Sequence, residues 1–218
     1  SLRINNPQGI ELPGNVWFSG QLSNFGQLTP DTTGFTAMGN NTQTLAGTWG
    51  ATNGYFSEFT LLNNAGLDLP DTLYIKDSLI LANGTINTNG HLVVVENPLP
   101  DAVVFPAWPS VQSYVNGPLQ RAVSQARVYS FPLGKTGKGY QLANVNITDV
   151  GTATQLTGEF IASPVTSPLP PDVDTTTECG FKGYDHYVDN GYWQFSSDGQ
   201  LDGYGLELRP NVNSYDTL

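Results

Sequence analysis

If this chain does chemistry, its 218 residues offer two histidines, one cysteine and nineteen carboxylates to do it with. His186 lies in Tyr184-Asp185-His186-Tyr187, with Asp189 close behind, a grouping that could supply a base or a metal ligand. His91 follows a turn glycine and opens a strand, so it reads as a capping or solvent-facing side chain. Cys179 is the single cysteine; no intrachain disulfide can form, and a buried thiol or an intermolecular link are its two readings. The sequence contains no G-x-S-x-G elbow, no H-E-x-x-H pair, no phosphate loop and no dinucleotide fingerprint.

Two further groupings suggest ligands. Ser197-Asp198-Gly199-Gln200-Leu201-Asp202-Gly203 resembles an acidic Ca²⁺ loop, with Asp198 and Asp202 as metal candidates. It lacks the full alternation of acids and the distal bidentate Glu, and an Asp-Gly hairpin turn explains the same residues. Ca²⁺ is the one cofactor the sequence points to. Tyr184, Tyr187, Tyr192 and Trp193, with Tyr204, could stack on sugars or on another protein, or could fill a core. A glycosidase would need two facing carboxylates. The candidates in the first half are Glu11, Asp31, Glu58, Asp68, Asp71 and Asp77, and Glu11 and Asp68 hold equivalent repeat positions, as structural residues would.

What must position these residues is a chain cut into short segments. Gly occurs 24 times and Pro 15 times, and only 12 % of residues are charged, which disfavours long helices and favours short strands and tight turns. The net charge of −11, with eight scattered basic residues, excludes a basic nucleic-acid surface. No run of 18 apolar residues exists, so no apolar helix is expected to insert in a membrane.

A duplication organises the first half. Asn5-Asn6 matches Asn63-Asn64, and Gly9-Ile10-Glu11-Leu12-Pro13 matches Gly66-Leu67-Asp68-Leu69-Pro70. Val16-Trp17-Phe18 matches Leu73-Tyr74-Ile75, Leu22 matches Leu79, and Gly26 matches Gly84, at a shift of about 57 residues. A shorter spacing of about 19 residues sets Leu73 and Ile75 against Leu92 and Val94. Coils of that size suit a parallel β-helix, with Leu67, Leu69, Leu73, Ile75, Leu79, Leu81, Leu92 and Val94 pointing inward and Asn-Gly pairs at the corners. The proline-rich Leu99–Pro109 reads as a linker or end-cap, with Phe105 and Trp108 plugging the open end. Beyond it, strands are expected at 113–115, 119–123, 127–131, 140–148, 155–162, 191–195 and 204–208, the spacing of a β-sandwich. Val145, Ile147, Leu156 and Phe160 would face inward.

Gly84-Thr-Ile-Asn-Thr88, Leu92-Val-Val94, Ser113–Val123, Tyr129–Lys135, Leu156-Thr-Gly-Glu-Phe160 and Asn190-Gly-Tyr-Trp193, in this order, resemble a module of very large secreted proteins of Bacteroidota. The resemblance implies export of the type IX kind, an extracellular or cell-surface location and an adhesin-like repeat protein, and its motifs are architectural rather than catalytic. It also implies O-glycosylation at Asp-Ser/Thr triplets, and so Thr32, Thr72, Ser78, Thr175 and Thr217 as glycan sites. Opening at Ser1 inside a strand-like pattern, the chain reads as a piece of a longer polypeptide.

The expectation is therefore all-β: a right-handed parallel β-helix (solenoid) over residues 1–110, in two related units, followed by an antiparallel β-sandwich over 111–218. The expected role is non-enzymatic, structural or adhesive, with neighbouring copies, other domains of the same surface protein, or glycans as partners. A carbohydrate-binding module and a β-helix carbohydrate-active enzyme are the alternatives.

Overall fold

Alternation of apolar and polar side chains decides the architecture. In Leu73–Asn83, Leu73, Ile75, Leu79 and Leu81 are buried while Tyr74, Lys76, Ser78 and Ile80 stay partly exposed, as a strand with one face on a core requires. The computed structural model describes residues 1–8, 14–28, 34–52, 54–106, 113–162 and 191–211. Among these there is no α-helix. The strands are β1 (Leu2–Ile4), β2 (Val16–Phe18), β3 (Leu22–Asn24), β4 (Gly34–Gly39), β5 (Gln43–Gly47), β6 (Phe56–Asn63), β7 (Leu67–Asp68), β8 (Leu73–Asn83) and β9 (Thr85–Asn87). They continue as β10 (Val93–Val95), β11 (Val103–Val104), β12 (Tyr114–Asn116), β13 (Leu119–Ala122), β14 (Val128–Lys135), β15 (Gly139–Asp149), β16 (Gln155–Ile161), β17 (Tyr192–Ser197) and β18 (Gly203–Arg209).

The chain shuttles between two sheets. One runs β1-β3-β5-β7-β9-β12-β14-β15-β18, the other β17-β16-β13-β10-β8-β6-β4-β2, with β11 beside β8. Pairing is parallel from β1 through the β12–β14 ladder in the first sheet and from β2 through β13 in the second. This is a β-solenoid of about five turns. Leu2 lies against Leu22, Leu22 against Leu45 and Leu67 against Ile86, so a coil takes about 20 residues. One buried cluster runs from Ile4 to Phe160 between the sheets. Its first coils hold an aromatic stack in which Phe56 meets Phe35 and Phe59 edge-on at 5.0 Å and Trp49 face-on at 5.1 Å.

Asparagine makes the corners. The Oδ1 atoms of Asn6, Asn24 and Asn63 each accept a backbone N–H two residues on, from Gln8 (3.0 Å), Gly26 (3.2 Å) and Ala65 (3.0 Å), the local turn this side chain favours. Asn63 is fully buried and its Nδ2 donates to Asn41 O, Gln43 Oε1 and Gly66 O, so one amide ties two coils. The coils also touch backbone to backbone. A Cβ on Gly47 would sit 1.8 Å from the Asn24 carbonyl oxygen, and one on Gly84 1.9 Å from that of Asn63. Both positions have positive φ, which only glycine adopts without strain.

The register departs from expectation in two places. Leu73 and Ile75 pair with Val93 and Val95, not with Leu92 and Val94. Val93 and Val95 are fully buried and Leu92 only partly. The tight turn at Asn89-Gly90, where Asn89 has φ 54°, shifts the register by one residue, which exchanges the faces. Leu22 and Leu79, aligned in the sequence, belong to different sheets, because β8 runs 11 residues without the corner that separates β2 from β3.

Of the segment read as a linker or end-cap, the described residues 99–106 are built into the fold, and Trp108 lies outside the described residues. A 3-10 turn at Pro100–Ala102 leads into β11, which pairs in parallel with Leu79 and Ile80 of β8, and Phe105 packs against the core. The clasp is Arg121, whose side chain is fully buried. Its Nη1 donates to Ser130 O (2.7 Å) and its Nη2 to Leu99 O (3.2 Å) and Pro100 O (2.7 Å). The guanidinium lies 5.3 Å from the Tyr129 ring centre, and Tyr129 donates its hydroxyl to Pro98 O at 3.0 Å. Burial lowers the Arg121 pKa to about 10, against the raising influence of Tyr129 and Asp101, so the cation survives where it is needed.

Across residue 110 both sheets run on, through the parallel β9–β12 and β10–β13 ladders. Antiparallel pairs then extend them: β14–β15 and β15–β18 in one, β13–β16 and β16–β17 in the other. Val145, Ile147, Leu156 and Phe160 point into the shared core.

Candidate functional site

The aromatic and metal candidates that can be placed gather at the antiparallel end. β17 presents alternate faces, and the two aromatic candidates fall on opposite ones. Tyr192 is 54 % exposed. Trp193 turns inward, meets Phe160 at 5.2 Å and 69°, and donates its Nε1–H to Gln141 O at 3.3 Å. Phe195 meets Phe131 in the same way at 5.2 Å. Tyr184 and Tyr187, with His186 and Cys179, lie outside the described residues.

The turn between β17 and β18 holds the two acidic candidates. Asp198 Oδ1 accepts the backbone N–H groups of Thr154 (2.9 Å) and Gln155 (2.8 Å), and Oδ2 accepts the Thr154 hydroxyl. These bonds, the Thr154 hydroxyl foremost, hold the Asp198 pKa down to about 2. Asp202 Oδ1 accepts Gln200 Nε2 at 2.7 Å, and the Gln200 backbone bonds to Thr152 in both directions. Asp198 therefore staples the β17–β18 turn onto the β15–β16 turn, with the oxygens a cation would need already accepting hydrogen bonds. Among the described residues no group of three or more His, Cys, Asp and Glu side chains is close enough to share a metal ion.

Behind this turn lies a feature that sequence reasoning missed. Among the described residues β17 and β18 are the last strands of their sheets, and between them lies a cleft of about 350 Å³ lined by Val145, Trp193, Phe195, Leu201, Tyr204 and Leu206. Tyr204, Leu206 and Leu208 oppose Ile147, Val145 and Ala143 in register, hence on the core side, yet are 60 %, 50 % and 41 % exposed. The alternation in Gly203-Tyr-Gly-Leu-Glu-Leu-Arg209 signals a strand with one apolar face; nothing in it says that the face is uncovered.

The carboxylates considered for sugar cleavage are spread along the solenoid and tied sideways. Glu58 accepts Ser78 Oγ at 3.2 Å, Asp68 accepts Asn87 Nδ2 at 2.8 Å, and Asp77 accepts Asn97 Nδ2 at 2.9 Å. Asp71 accepts the Thr72 backbone N–H at 2.7 Å. Glu11 and Asp31 fall outside the described residues. Of the glycan candidates, Thr72 sits in the turn before β8, and Ser78 lies within β8 with its hydroxyl on Glu58. Thr32, Thr175 and Thr217 lie outside the described residues. Among the described residues no helix is long and apolar enough to cross a membrane.

Fold and site define a protein class, the two-sheet β-solenoid. Comparison with family models, curated proteins and solved structures returns no match.

Proposed function

We propose that the protein is a non-enzymatic structural or adhesive element of an extracellular surface, a right-handed parallel β-helix rod completed by a sandwich-like antiparallel end, in the manner of the secreted Bacteroidota surface proteins it resembles. The observation that carries the reading is where its polar side chains are spent. Glu58, Asp68, Asp77 and Glu96 each bond a side chain one coil away, the last as a 2.5 Å ion pair with Lys76. Asp68, Asn87, Asn116 and Thr136 form one continuous chain of hydrogen bonds across successive strands. Such ladders stiffen a stack of coils, whereas a glycosidase holds two carboxylates on opposite sides of a bond.

The test is to immobilise the whole chain and challenge it with a panel of bacterial and host polysaccharides and matrix proteins, assaying in parallel for new reducing ends. Saturable binding without release of reducing ends is expected. Release that disappears in Glu58→Gln or Asp68→Asn would replace this reading with the enzyme. A carbohydrate-binding module is favoured instead if binding is confined to glycans and Tyr192→Ala, an exposed position, abolishes it while the fold is kept.

A further inference from the structure

We infer that β18 is a self-pairing edge, through which two copies of this chain join about a two-fold axis at Leu206 and close the open end of the core. The inference is independent of the adhesive reading.

An edge strand with an apolar flank is a template for another strand, and the composition of β18 says which strand fits. Antiparallel pairing of two copies about Leu206 sets Leu206 against itself and Tyr204 against Leu208. All three are core-side residues, so the apolar row that runs through Ala143, Val145 and Ile147 would continue into the second copy. On the other face Glu207 falls opposite Gly205 and Arg209 opposite Gly203. No like charges meet directly, and each Glu207 is already held by its own Arg209 at 2.6 Å and by Asn144 Nδ2 at 2.8 Å. Other centres fit worse. An axis at Glu207 opposes Glu207 to itself, which is destabilising. One at Gly205 sets Asp202 against the apolar Leu208. Only the Leu206 axis pairs β18 over its whole length.

The second sheet allows the same association. β17 carries no charged residue, so bringing two copies of it together across the same axis opposes no charges. The cleft between the strands, with Trp193 and Phe195 on one wall and Tyr204 and Leu206 on the other, then becomes the interior of a sandwich shared by two chains. A two-fold contact uses one patch on both partners and closes on itself, so this end of the molecule would join in pairs and leave the β1–β2 end outside the interface.

The experiment uses the whole chain. Sedimentation should show a dimer that Leu206→Lys weakens about a hundredfold or more, since two ammonium groups would meet at the axis, while Trp17→Lys at the far end leaves it intact. Register is read separately, so that a misfolded lysine variant cannot decide the matter. With Cys179→Ser as background, Leu206→Cys should oxidise to a self-linked dimer, because directly opposed antiparallel residues lie within disulfide reach. Leu208→Cys should not link to itself but should link to Tyr204→Cys chains mixed with it. A wild-type chain that stays monomeric at every concentration overturns the proposal, as does Leu208→Cys linking to itself as readily as Leu206→Cys.

Discussion

Replacing Gly84 by alanine asks whether the coils really touch. The added Cβ would lie 1.9 Å from the carbonyl oxygen of Asn63, at a φ of +103°, so two penalties combine. The backbone angle alone costs an L-residue about 1–2 kcal/mol. The overlap forces a shift of one coil against the next, and overpacking of that kind costs about 1–3 kcal/mol. Gly90 separates the two terms. Its φ is +91°, but nothing lies within 4 Å of the Cβ it lacks. Gly90→Ala should therefore lose about 1 kcal/mol and Gly84→Ala about 3 kcal/mol, a large fraction of the roughly 5–15 kcal/mol that stabilises a typical domain. Urea titration followed by far-UV circular dichroism gives both values, and the difference between the variants is the inter-coil contact. Equal losses, within about 0.5 kcal/mol, would mean that the carbonyl of Asn63 is not where the stacked coils put it.

Two further predictions concern the antiparallel end and the clasp before it. Arg121→Ala leaves three carbonyls without their donor and should destabilise by about 3–5 kcal/mol. Arg121→Met, which fills the space without a charge, should recover part of that loss, and identical unfolding curves for the two variants would count against the clasp. Asp198 has a folded pKa of about 2, below the value of about 3.9 of a free aspartate. Its contribution is thus complete above about pH 4 and fades as pH falls toward 2. Asp198→Asn should flatten stability against pH in that window, and a wild-type profile unchanged by the substitution would remove Asp198 from the account.

Much of the solenoid can be read from the residue string because its signal is local. Leu67, Leu69, Leu73, Ile75, Leu79 and Leu81 alternate, and all six are buried. The coil length of about 20 residues follows from spacing. Register was less legible: one residue absorbed in the Asn89-Gly90 turn moves Val93 and Val95 into the places expected for Leu92 and Val94. Arg121 escaped notice because a lone arginine among apolar neighbours has no periodic signature; its value lies in the carbonyls of Leu99, Pro100 and Ser130, which the chain brings back from elsewhere. At the candidate site, Asp198 was visible as an acid in a turn, but its partners Thr154 and Gln155 lie more than forty positions away. Trp193 was visible as an aromatic, yet which face of β17 it takes depends on the pairing with Phe160. Exposure of Tyr204 and Leu206 depends on β18 standing last in its sheet among the described residues, and no pattern within β18 encodes that.

The stack of parallel coils is tested most directly by backbone NOEs in an isotope-labelled sample that keeps its Hα protons. The account predicts amide-to-Hα contacts that join Ala37 to Leu61 and Leu61 to Leu81 in one unbroken parallel series. Strong Hα–Hα contacts between those strands, the mark of antiparallel hairpins, would contradict it.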